Sequence, residues 1–143
     1  MDEKVRNAIF HQVAKEPFAR KFNLKLTALE EGYSRVEMVF TPDMENIFGL
    51  APGGALFALI DEAFETASNS HGTMAVALNM SITYVAAPAP ASKLIAEAQE
   101  FSRTNRTANY HIRVSDEKGG LIASCQALVY RRGTPLPFLN EGS

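Results

Sequence analysis

Apolar residues recur at Val5, Ala8, Ile9 and Val13, the spacing of one helical face, and predict an amphipathic helix over 3–15 that ends before Pro17. A further helical turn is expected over 18–22. The period then changes to alternation over 24–29 and 33–40, where Val36, Met38 and Phe40 share one side and Arg35 and Glu37 the other. Glu31 and Gly32 between these runs read as the turn of a β-hairpin. Residues 41–51 begin Thr41-Pro42-Asp43 and read as a loop leading to Pro52-Gly53-Gly54. Beyond it Leu56, Leu59, Ile60, Ala63, Phe64 and Ala67 return to helical spacing, with Gly72 as the expected stop. Four strands are predicted next, over 75–86, 93–104, 107–116 and 121–131. Pro88 and Pro90, Thr104-Asn105 and Lys118-Gly119-Gly120 separate them.

The order is therefore helix, two strands, one long helix, four strands. The long helix is apolar over so wide an arc that most of it must be covered. An α+β fold in which a curved antiparallel sheet of about six strands wraps that helix is the economical answer. Its length, ~30 Å for about 20 residues, matches strands of about nine or ten residues at ~3.4 Å each. The same pattern also allows a helix lying on an open six-stranded sheet. No repeat or linker divides the chain, so residues 1–143 read as one domain, with helices over 1–22 and an irregular Pro-rich tail over 133–143.

Composition narrows the function classes. With 46% apolar and 21% charged residues the chain has ordinary globular usage, and a formal charge of −2 without a basic run leaves nucleic acid no electrostatic footprint. One cysteine, Cys125, excludes an intrachain disulfide and a Cys-based metal site. The N-terminus is charged, and the longest apolar stretch, 50–60, is well short of the ~18 residues of a membrane span, so a cytoplasmic protein without membrane contact is expected.

Two features of the long helix could carry chemistry. Asp61 falls roughly 140° from Leu56 around the helix, at the edge of the apolar stripe beside Phe57, Phe64 and Ser68. It should be half-buried, with Glu65 one turn on along the same side, and both effects raise a carboxyl toward a useful general base. Alternatively Asp61 and Glu65 are the solvated flank of an amphipathic helix. The second feature is Pro52-Gly53-Gly54, which opens the helix with proline expected at the first helical position. The Gly53 and Gly54 N–H groups, unshielded by side chains and backed by the helix dipole, suit a carbonyl oxygen gaining negative charge. The bland reading is a loop that needs glycine torsions. His11, His71 and His111 read as surface or capping residues, Cys125 as a small core residue, and no metal site is indicated.

Asn46, Pro52-Gly53-Gly54, Asp61 and the run Ala67-Ser68-Asn69-Ser70 together resemble the hotdog-fold acyl-CoA thioesterases, in particular the phenylacetic-acid-degradation (PaaI-like) branch. That branch shows an Asn, then His-Gly-Gly, then an Asp on the central helix, and the spacing is kept here over a match of about 15–131. Asn79 to Tyr84 with Pro88 and Pro90 looks like the strand after the helix, and Arg103 to Thr107 like a basic segment near CoA.

The resemblance implies hydrolysis of an acyl-CoA thioester to acid and CoA. Asp61 would act as general base or nucleophile, the Gly53 N–H would polarise the carbonyl, and Asn46 would orient that carbonyl or the loop. It further implies a homodimer with sheets joined edge to edge, further paired as a dimer of dimers, with Asp61 supplied across the subunit boundary. CoA enters only as part of the substrate, with no other cofactor. Pro52, Gly54, Phe57, Phe64, Glu65, Ser68, Asn79, Ser81 and Tyr84 are the candidate substrate neighbours. Arg103 and Arg106 are candidates for the CoA phosphates or, equally, solvated strand-end charges. Three departures stand out: Pro52 replaces the motif His, Ala77 stands near a position where relatives carry a water-orienting Ser, and Asn105 replaces a frequent Gly. Asn79 or Ser81 could substitute for that Ser if they face inward. The departures also motivate a rival, a noncatalytic acyl-CoA-binding module. Dehydratase chemistry lacks a His on the helix or the loop before it.

Overall fold

The computed structural model describes residues 1–140. Its elements are α1 (Glu3–Lys15), α2 (Pro17–Lys21), β1 (Lys25–Glu30), β2 (Tyr33–Val39), a short 3-10 turn (Pro42–Met44), α3 (Gly53–Ser68), β3 (Thr73–Tyr84), β4 (Lys93–Arg103), β5 (Thr107–Asp116) and β6 (Leu121–Pro135). The strands form one antiparallel sheet in the order β1-β2-β4-β5-β6-β3, which leaves β1 and β3 as edges. The sheet packs around α3 as the apolar arc requires.

The start of α1 follows from capping. Asp2 accepts hydrogen bonds from Lys4 N (2.8 Å) and Val5 N (3.4 Å), and Val5, Ala8, Ile9 and Val13 are the buried face of α1. On α3, Leu56, Leu59, Ile60, Ala63, Phe64 and Ala67 are buried against the alternating inner residues of β2, β4, β5 and β6. Two hydroxyls fasten the helix to β2 and its turn. Ser34 Oγ donates to Ala63 O (2.6 Å), while Ser70 Oγ donates to Ala67 O (2.6 Å) and accepts from Gly32 N (2.7 Å).

The structure corrects three expectations. α3 ends at Ser68, four residues short of Gly72, so it is ~24 Å long. Asn69 stops it by donating from Nδ2 to Glu65 O (2.9 Å) and accepting from Ala75 N (2.9 Å), so its side chain holds both helix and next strand. Pro52 is the N-cap in extended conformation (φ −76°, ψ 153°), so Gly53 takes the first helical position. The tail is regular further than expected: β6 continues to Pro135, pairing with Thr73, because proline at a strand end costs the ladder little. Only residues 136–140 of the expected irregular tail are non-strand within the described chain.

Candidate active site

The N-terminus of α3 presents backbone donors. No side chain caps it, and Pro52 O accepts only from Ala55 N (3.2 Å) and Leu56 N (3.4 Å), as expected where the first helical N–H groups have no intrahelical partner. Gly53 and Gly54 are those first residues. Gly53 is also a fitted position. A Cβ there would lie 3.0 Å from both Cζ and Oη of Tyr84, whose hydroxyl donates to Gly53 O (3.1 Å). Gly54 would meet nothing within 4 Å. A cavity of ≈ 400 Å³ opens beside this end of the helix, lined by Ala51, Gly53, Leu56, Tyr84, Val85 and Pro88 among others.

Asn46 organises the loop in front of the glycines. Its Oδ1 accepts from Phe48 N (2.9 Å) and Leu50 N (3.1 Å), and its backbone exchanges further bonds with Leu50 O and Gly49 N. With its carbonyl oxygen occupied by two backbone donors, this side chain shapes the turn. The loop it folds carries two highly exposed apolar residues, Ile47 (93%) and Phe48 (76%).

Asp61 is half-buried, as its place at the stripe's edge predicts. Burial first, and the Glu65 charge second, hold its carboxyl above the ordinary aspartate value. Its charge reaches Cys125 on β6, where burial chiefly pushes the thiol up to about 11 and so makes it a poor nucleophile. Eight residues separate Gly53 from Asp61 on one helix, a rise of ~12 Å. Hydrogen-bonding reach is ~3 Å, so within one chain the glycine donors and this carboxylate cannot hold the same carbonyl.

The remaining candidates divide. Tyr84 belongs with Gly53, as above, and Phe57 is exposed on α3. Phe64 is not a pocket residue: it is fully buried, 5.6 Å edge-on to Tyr110. Ser68 is buried and donates to Glu65 O (3.2 Å), which makes it part of the helix end. Asn79 and Ser81 lie on the outer side of β3, in a cleft with Asn109 and Gln126, whereas Met80 and Ile82 pair with the inner residues Ala127 and Cys125. They cannot replace a serine beside Asp61 from that face. Arg103 is engaged by His71 and by Glu100 (Nε to Oε1, 3.9 Å), while Arg106 is exposed.

Glu65 has a second set of neighbours. Its carboxyl lies with those of Glu16 and Glu62, oxygen atoms of the three within 4.8 Å of one another. Burial, then the Glu16 carboxyl, push Glu62 up to about 10. Glu62 went unnoticed in the sequence because, between Asp61 and Glu65, it reads as one more residue of the helix's acidic flank; its burial beside Glu16 depends on packing between segments distant in sequence.

Comparison with known proteins places this geometry in context. A model of the thioesterase superfamily matches residues 48–123, which span the end of the loop, α3, β3 to β5 and the start of β6. An Archaeoglobus fulgidus protein provisionally named an esterase is 41% identical over 113 residues, 79% of this chain and 73% of its own. The Escherichia coli acyl-coenzyme A thioesterase PaaI is 30% identical over 115 residues, 80% of this chain and 82% of its own. The solved structure of E. coli PaaI, from the phenylacetic acid degradation operon, superposes with a TM-score of 0.88, covering 93% of this chain and 96% of that one. The six-stranded sheet curved around α3, with helices ahead of it, is the hotdog fold those proteins share.

Proposed function

The chain belongs to the thioesterase superfamily, and from that premise we propose that it hydrolyses an acyl-CoA thioester to a free acid and CoA. The observation that carries the reading is the pair of complementary half-sites on α3. One is the Gly53–Gly54 amide end beside its cavity, and the other is the raised Asp61 carboxyl. The similarity to a named acyl-CoA thioesterase supports the substrate class.

In this reading the thioester carbonyl oxygen sits on the Gly53 N–H, where the helix dipole stabilises the negative charge that develops. Asp61, as general base, takes a proton from water while the water oxygen bonds to the carbonyl carbon. Collapse of the tetrahedral species breaks the carbon–sulfur bond, and the proton passes to the departing CoA sulfur. Asp61 attacking the carbon directly, with later hydrolysis of the anhydride, uses the same placement. Because ~12 Å separates the two half-sites in one chain, the Asp61 that serves a given glycine comes from a second copy. The unpaired β3 edge supports such a partner: Val76, Leu78, Tyr84 and Val85 are exposed along it, and an apolar edge strand is otherwise an aggregation liability. Asn46 keeps the loop, and so the amides, in position; Pro52, with an extended backbone, stands where the family has its histidine.

The test is release of free thiol from aromatic, short-chain and long-chain acyl-CoA esters by the purified chain and by Asp61→Ala. Turnover that the substitution abolishes supports the reading. Pro52 in the motif histidine's place favours a second reading, a binding module. That reading predicts calorimetric binding of CoA esters with no thiol released by either protein.

A further inference from the structure

One turn beyond Asp61 and away from the Gly53 cavity, α3 and the chain that links α1 to α2 bring three carboxyl groups together. Glu16 caps the C-terminus of α1, and Glu62 and Glu65 lie nearly one turn apart on α3. One oxygen of each lies within 4.8 Å of the others. Glu62 is 1% exposed, and its Oε2 is buried without a hydrogen-bond partner. One turn before Glu16, Gln12 Oε1 is also buried and unpartnered, and Gln12, Glu16 and Glu65 line one cavity of ≈ 330 Å³ between α1, α3, the start of β3 and residues 136–138. Carboxylate and amide oxygens accept hydrogen bonds and do not donate them. Nothing among the three carboxylates joins their oxygens unless a proton or a cation lies between them; Glu65 is exposed and Glu16 half-buried, but Glu62 is buried, where a charge that is neither paired nor coordinated is costly.

We propose that Glu16, Glu62 and Glu65, with the Gln12 amide oxygen, bind one hard divalent cation that fastens α1 to the central helix. Oxygen donors without nitrogen or sulfur select the Ca²⁺, Mg²⁺ and Mn²⁺ class. Ligands on opposite sides of Ca²⁺, at ~2.3–2.6 Å each, stand about 5 Å apart, so a 4.8 Å cluster spans one such ion. The open cavity leaves room for waters to complete six to eight ligands. The site would be structural, since it sits on the α1 side of α3 and away from the Gly53 cavity.

The probe is CaCl₂, with MgCl₂ and MnCl₂ in parallel, titrated calorimetrically into chelator-treated full-length protein at pH 8, with thermal unfolding recorded at each concentration. We expect one ion per chain and a Tm that rises by several degrees at saturation. Glu16→Gln and Glu62→Gln should each weaken binding at least tenfold and remove the Tm rise. Their Tm in chelator, equal to or above that of the unsubstituted protein, shows that they fold. Absence of binding by all three ions up to 10 mM overturns the proposal and leaves a shared proton as what joins the carboxyls. Binding that both variants retain unchanged overturns it too, because the ion then sits elsewhere. Neither outcome touches the thioesterase reading, whose residues are not substituted.

Discussion

Replacing Gly53 by alanine tests the close fit between the α3 amide end and Tyr84. The new Cβ would lie 3.0 Å from Cζ and from the hydroxyl oxygen of Tyr84 and 3.4 Å from its Cε2, about 0.5 Å inside ordinary carbon contact for Cζ. Tyr84 is 49% exposed, so it yields by swinging outward rather than by disturbing the core. That movement breaks its 3.1 Å hydrogen bond to Gly53 O, worth about 1 kcal/mol. Alanine returns up to ~1 kcal/mol through helix propensity, less at a first position. The terms offset, and Tm should move by no more than about 4 °C. The cavity beside the amides, however, loses its Tyr84 wall, and kcat/KM should fall at least tenfold, or ~1.4 kcal/mol. A double-mutant cycle with Tyr84→Ala isolates the cause. In that background nothing opposes the Cβ, so Gly53→Ala should be neutral or stabilising, a non-additivity of at least ~0.5 kcal/mol. Equal effects of Gly53→Ala in both backgrounds would refute the argument.

Further outcomes follow from the same geometry. Asp61 works ionised, so activity is present above its folded pKa and is lost as pH falls through it. With that pKa raised by burial and by Glu65, the acid limb of kcat/KM should lie above the ordinary value of 3.8, and in chelator Glu65→Gln should move it down; a limb at or below 3.8 contradicts the assignment. Leu78→Lys on the β3 edge, where Leu78 is 57% exposed, should leave a monomer in light scattering where the proposed function requires a dimer, and remove activity with it; an active monomer would show that one chain suffices. Glu62 binds its proton more tightly folded than unfolded, from an ordinary 4.5 to about 10. In chelator its contribution to stability is therefore full below about pH 4.5 and is lost as pH rises toward 10, at up to ~1.4 kcal/mol per pH unit. Denaturant titrations of Glu62→Gln should lack that slope; identical slopes would locate the titration elsewhere.

Much of the molecule was legible from periodicity. The buried face of α1, all six strands and the half-burial of Asp61 follow from spacings of 3.6 and 2 that burial imposes directly. What was not legible depends on contacts distant in sequence. α3 stops at Ser68 because Asn69 bonds both Glu65 and Ala75, whereas the glycine at 72, with φ +89°, only turns the chain afterward. Asn79 and Ser81 point outward because the register shifts between Ala77 and Asn79, and one added residue flips the alternation beyond it. The Gly53–Tyr84 fit joins residues 31 apart, and the carboxyl cluster joins helices separated by a hairpin. Phe64, equally able to line a pocket or fill the core, is settled by Tyr110 lying against it. Of the motif residues, Asn46 holds the loop, Gly53 begins the helix and Asp61 lies two turns on.

The most direct examination of the central claim is the rate of free-thiol release from an acyl-CoA ester by Asp61→Asn beside the unsubstituted protein, with Tm and assembly measured on both. Loss of a general base predicts a fall of about 10²- to 10⁴-fold in kcat with Tm and assembly retained. Equal rates from the two proteins would contradict it.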